Sequence, residues 1–165
     1  MIRKASPWLL LFMLLAAFVA AQEKPSGLVV AGRDGKQATF SVEQLKKMPR
    51  QVVTVSDPHT NASHQYEGVL LSSLLSQLGT PSGKALEGFE MRDYVEAVGA
   101  DNYKVIFALV ELDAMFQDNK VIVADTMDGK PLPSDHGPLQ LVVPQDRRHA
   151  RWVRMLTTVN VRQTP

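Results

Sequence analysis

The stretch Val123-Ala124-Asp125-Thr126-Met127-Asp128-Gly129-Lys130-Pro131-Leu132-Pro133, continued by His136-Gly137-Pro138-Leu139-Gln140-Leu141-Val142-Val143-Pro144, decides how the rest of the chain is read. The Val-Ile-Val run at its head predicts a buried strand over residues 120–124. Asp128-Gly129 and residues 131–137 are dense in glycine and proline and predict turns. Residues 139–143 are again apolar and predict a second strand, stopped at Pro144. Strand, tight turn and strand with no room for a crossover helix indicate a β-rich α+β domain rather than a parallel βαβ sheet.

Working outward, residues 28–31 and 37–40 read as strands joined by Arg33-Asp34-Gly35-Lys36, where Asp-Gly marks a hairpin. Ser41-Val42-Glu43-Gln44 has capping-box spacing and predicts a short helix buried through Leu45 and Met48 and stopped by Pro49. Residues 51–56 predict a strand, 57–63 a polar loop and 64–68 a short extended piece. Leu71, Leu74, Leu75 and Leu78 fall at helical spacing, so residues 69–78 predict a helix closed by Gly79 and Pro81. Residues 88–92, 94–98, 103–110 and 155–161 predict strands, with a helical turn over 111–116. Leu71, Leu74, Leu75, Leu141, Val143 and Trp152 are expected to be buried together.

Composition narrows the function classes. The 165 residues are 45% apolar and 21% charged with a net charge of +1, which excludes a disordered chain and a protein built mainly to hold nucleic acid. There is no cysteine, so no disulfide, thiolate metal site, thiol nucleophile or cysteine-linked lipid anchor. Arg3 and Lys4 precede an uncharged run over residues 8–21 that is short for a membrane span, and Val19-Ala20-Ala21 suits signal peptidase. The expectation is a cleaved signal over residues 1–21, with an uncleaved anchor as the alternative. A polar leader over 22–27 and one domain over 28–162 follow. Removing 21 residues leaves 144, starting at Gln22, with 16 basic and 17 acidic side chains. The expected address is the periplasm, with no membrane attachment after cleavage.

Few constellations carry chemistry. His59 and His64, with Asp57 nearby, match no metal-ligand spacing and read as loop histidines. No Ser-centred nucleophile elbow and no Gly-rich phosphate loop is present, and no carboxylate pair stands out for glycosidase chemistry. No catalytic residue and no metal ligand is assigned. The dense feature is Asp146-Arg147-Arg148-His149-Ala150-Arg151-Trp152-Val153-Arg154, four arginines in eight residues. Guanidinium forks suit phosphate or carboxylate. Equally, Arg151 and Arg154 pair with surface acids while Trp152 fills the core.

The turn-strand-proline stretch resembles the molybdopterin-binding domain of the sulfite oxidase family, with its Asn/Asp-Gly-x-Pro-Leu-Pro turn, His-Gly turn and apolar strand ending in proline. Tyr66-Glu67-Gly68-Val69-Leu70-Leu71 resembles that family's aromatic-x-Gly-x-x-Leu element, Asp101-Asn102-Tyr103 its Asp-Gly-Tyr, and Arg151-Trp152-Val153 its basic-Trp-aliphatic step before the last strand. The resemblance runs over residues 28–161 and implies a sheet or barrel-like core with few short helices. It implies molybdopterin as the cofactor, with Arg147, Arg148 and Arg151 on its phosphate and Asn102 and Tyr103 lining the pocket. The departures are specific. The family holds molybdenum through a cysteine thiolate, and the corresponding loop, residues 56–63, has none. A hard oxygen ligand such as Ser56 or Asp57 would change the metal's electronics. Gln140 stands where the family has arginine, and the segment after Pro144 is short. Two functions are therefore expected: an exported member of this oxidoreductase family without molybdenum catalysis, or a non-catalytic ligand-binding or protein-interaction module on the same fold. Its partners would be an anionic small molecule such as a pterin, or a periplasmic protein.

Overall fold

A computed structural model of the chain describes residues 27–57, 60 and 62–165. The expected signal, the expected leader up to residue 26, Pro58, His59 and Asn61 lie outside the described residues, while Gly27, expected as the leader's last residue, begins the first strand. The elements in order are β1 (Gly27–Ala31), β2 (Gln37–Ser41), α1 (Val42–Lys46), β3 (Gln51–Ser56), β4 (Ser63–Leu70) and α2 (Leu71–Ser76). Then come β5 (Asp93–Gly99), β6 (Lys104–Ala108), β7 (Ile122–Met127), β8 (Lys130–Pro131), β9 (Gln140–Val142) and β10 (Leu156–Gln163). One sheet has the order β2-β1-β10-β5-β6, and the other β3-β4-β7-β8 with β9 also on β7. Among the described residues only β1 and β10 run parallel; the other pairings are antiparallel. This is the β-rich α+β class the turn chemistry implied.

Local chemistry explains the elements. In β3, Val53 and Val55 are buried while Val52 and Thr54 face out, the alternation of a half-buried strand. In β7, residues Ile122 to Asp125 are all buried, because both faces of this strand are covered. The α1 capping box closes as expected: Ser41 Oγ accepts from Gln44 N at 3.1 Å, and Gln44 Oε1 accepts from Ser41 N at 2.7 Å. One continuous apolar core takes side chains from both sheets and from α2, including Leu71, Leu74, Leu75, Leu141, Val143 and Trp152.

Two expectations are corrected. The helix starts at Leu71, not at 69, because Val69 and Leu70 remain in β4 opposite Val123 and Ile122. Strand pairing outweighs a leucine periodicity that spans only two turns. Residues 88–92 form a 3₁₀ turn, not a strand: Gly88 adopts φ 58°, and Phe89 and Met91 point to solvent rather than alternating into the core. Their β propensity had no partner strand to meet.

Candidate functional site

The site is built at one end of the second sheet, where β4, the 131–139 loop and the 143–155 loop converge. Tyr66 leaves the inner face of β4 and is buried. Trp152 meets it edge-on, ring centroids 5.3 Å apart at 89°. Trp152 is held in place by its Nε1, which donates to the Val143 carbonyl at 3.0 Å. His149 lies flat on the indole, centroids 3.7 Å apart at 16°. The result is an aromatic stack running from the sheet to the loop surface. The Tyr66 hydroxyl is pushed above its ordinary range by burial and by the Asp128 and Asp57 charges, against an opposing pull from Arg154.

His136 approaches the same corner from the 131–139 loop. Its backbone is pinned twice: its N–H donates to Pro133 O at 2.9 Å, and its carbonyl accepts from Met155 N at 2.7 Å. Met155 sits in the left-handed region, φ 45°, so the chain doubles back beside Arg154. Burial first, and the Arg154 charge second, hold the His136 imidazole below its ordinary value. The buried Gln140 lies near enough to favour the protonated imidazole, yet His136 Nδ1 and Gln140 Oε1 complete no hydrogen bond among the described residues. The Gln140 oxygen needs a donor, and the His136 ring nitrogen donates or accepts according to its tautomer, so the pair suits a ligand that carries N–H or O–H groups.

The five residues singled out in the sequence divide. Arg147 and Arg148 are exposed, and no hydrogen bond or ion pair holds their side chains among the described residues. Tyr103 reaches the loop that carries them: its hydroxyl donates to Ala150 O at 2.6 Å. Asn102 stands beside it at the tip of a tight turn, φ 65°, with Asn102 N donating to Gly99 O at 3.0 Å. Arg151 turns the other way. Asp146 and Glu111 take its N–H groups, and it lies 4.6 Å over the Phe107 ring. The geometry adds His136, Gln140, Arg154, Tyr66 and His149 to this corner. One signal for them was in the sequence, a lone glutamine inside the apolar run Leu139 to Val143.

The chain has no cysteine to supply a thiolate, and the described residues hold no cluster of three or more histidines and carboxylates that would grip a metal. The residues therefore do not fit a thiolate-held molybdenum centre. What the corner offers is arginine side chains without an acidic partner among the described residues, Arg147, Arg148 and Arg154, and two buried polar atoms without a hydrogen bond, His136 Nδ1 and Gln140 Oε1.

The chain is a two-sheet α+β core with a basic, aromatic loop corner and no thiolate. Comparison with known proteins gives it a place: residues 19–165 match the oxidoreductase molybdopterin binding domain, and the chain belongs to that family. It is 27% identical over 155 residues to the mitochondrial sulfite oxidase of Rattus norvegicus, covering 76% of this chain and 27% of that protein. Its fold is similar to the sulfane dehydrogenase SoxCD of Paracoccus pantotrophus, with a TM-score of 0.67 and 21% identity over 86% of this chain and 39% of that one. The chain thus spans about a quarter of the curated relative's length.

Proposed function

We propose that this protein is an exported, non-catalytic member of the molybdopterin-binding oxidoreductase family that holds a pterin-type or other heterocyclic anion. The observation that carries the reading is one set of side chains. Arg147, Arg148 and Arg154 have no acidic partner among the described residues, while Arg151 in the same segment has two. Structural arginines find acids, and arginines kept free at a loop corner beside an aromatic stack are available to a ligand phosphate. Loss of the thiolate removes the family's metal ligand and leaves this organic-binding half. Export rests on Arg3-Lys4 and the apolar run ending at Ala21.

Calorimetric titration with a pterin phosphate tests the binding. Arg148→Ala and Arg154→Ala should each weaken it by about tenfold or more, one charge-assisted contact contributing roughly 1.5–3 kcal/mol. Equal affinities for wild type and both variants would overturn the site. Elemental analysis of the natively purified protein should find no stoichiometric molybdenum. Mass spectrometry of the cell-envelope fraction should find Gln22 at the N-terminus.

A protein-interaction module is the second reading, and one observation favours it. Phe89, Met115 and Phe116 are 73%, 64% and 46% exposed. Large apolar side chains this open suit a partner surface.

A further inference from the structure

We propose a second, separate ligand site for a small organic carboxylate on the opposite face of the second sheet. Tyr66 and Glu67 are consecutive in β4, so they leave opposite faces. Tyr66 belongs to the aromatic stack described above. Glu67 instead meets Arg50 at 2.9 Å, and Arg50 closes on Asp125 with two contacts of 2.6 and 2.8 Å. Asp125 and Thr126 form the floor of a cleft of about 420 Å³ between α1 and the 129–138 segment. That size lies within the range of small-molecule sites.

The lining divides by chemistry. Val42, Pro131, Leu132 and Pro138 give apolar walls, and Lys46 and Lys130 stand at the edge. The floor does not repel an anion, because Arg50 and the Thr126 hydroxyl, at 2.6 Å, already engage the Asp125 carboxylate. The bidentate bond to Asp125 first, and Glu67 beside it, raise the Arg50 guanidinium further above its ordinary range, so Arg50 stays charged at every working pH. Arg50 is shared between Asp125 and Glu67, and of the charged side chains that line the cleft two, Lys46 and Lys130, are cationic and one, Asp125, is anionic. The Lys130 ammonium has no ion-pair or hydrogen-bond partner among the described residues, and its charge acts on Asp128, two residues before it. Lys46 meets only Glu43, at 3.1 Å, in a solvent-exposed contact of the kind that contributes little and that a bound carboxylate replaces readily. A compact apolar body capped by one carboxylate matches this arrangement. A neutral ligand leaves both cations unused.

The test uses the full chain and benzoate as the probe, followed by amide ¹⁵N–¹H spectra. Saturable shifts are expected at Gly129, Lys130, Ser134 and Gly137, with benzamide giving none. Lys46→Gln with Lys130→Gln should weaken benzoate binding at least tenfold while leaving pterin phosphate binding unchanged. Absence of saturable shifts on this cleft, equal response to benzamide, or unchanged affinity in the double variant would each overturn the proposal. Shifts confined to the Arg148 and Arg154 corner would also overturn it, since they would place the anion at the first site. Because the two sites are read by different probes and variants, failure of one is separable from failure of the other.

Discussion

Arg151 is clamped by Asp146, five residues before it, with Nε donating to Oδ2 at 2.9 Å and Nη2 to Oδ1 at 2.7 Å. The pair closes the loop that carries Arg147, Arg148 and His149, and Glu111 ties that loop to the 3₁₀ segment after β6. One arginine of the cluster thus builds the platform on which the others are displayed. Arg151→Ala should destabilise the fold by about 1–2 kcal/mol, discounted because a third of the side chain reaches solvent. Arg148→Ala should change stability by less than about 0.5 kcal/mol. Urea titrations of the two variants check this, and equal effects would show that the cluster is not divided in this way.

How much of this was legible beforehand follows from what each residue depends on. The hairpin at Asp34-Gly35 and the capping box at Ser41 and Gln44 are decided within a few residues, and both formed as read. The strand content was legible for the same reason. Val69 and Leu70 were misread because their fate depends on Val123 and Ile122, more than fifty residues away. The site behaved likewise. A count of arginines shows density, but Arg151 is separated from Arg147 and Arg148 by Glu111, forty residues upstream. His136 and Gln140 become neighbours of Arg154 only once Met155 turns the chain back onto the His136 carbonyl.

Gly68 marks the tightest crossing of the second sheet. A Cβ there would run into the Val123 carbonyl oxygen and stand 2.6 Å from Ala124 Cα. Both are backbone atoms of β7 and cannot rotate away. Gly68→Ala should cost at least the roughly 1–3 kcal/mol of an overpacked core. Thermal melting of the variant checks it, and an unchanged midpoint would mean that β4 and β7 are not in this register.

Leu74 is fully buried on α2. The short helix has no side-chain cap at its N-terminus, so core contacts rather than local propensity hold it. Leu74→Ala should cost about 2–5 kcal/mol, read from the shift in denaturant midpoint. A value near zero would place this face of α2 against solvent.

The last prediction joins the protonation of His136 to anion binding. Burial and the Arg154 charge hold its imidazole below the ordinary 6.5, outweighing Asp135 and Gln140. The unfolded chain then binds more protons than the folded one between the two values, so stability rises with pH across that window. The contribution is complete above about pH 6.5 and is lost as pH falls through the folded value. His136→Asn should flatten this part of the stability profile. An anion resting on Arg154 cancels one cause of the depression, so binding it should draw a proton onto His136. Wild type should therefore take up more protons on binding pterin phosphate between pH 7 and 5.5 than His136→Asn does, the titration of the ligand's own phosphate being common to both, as read by calorimetry in buffers of different ionisation enthalpy. Arg154→Ala should remove that difference by removing the coupling. A difference that survives Arg154→Ala would mean that the anion meets His136 without that arginine.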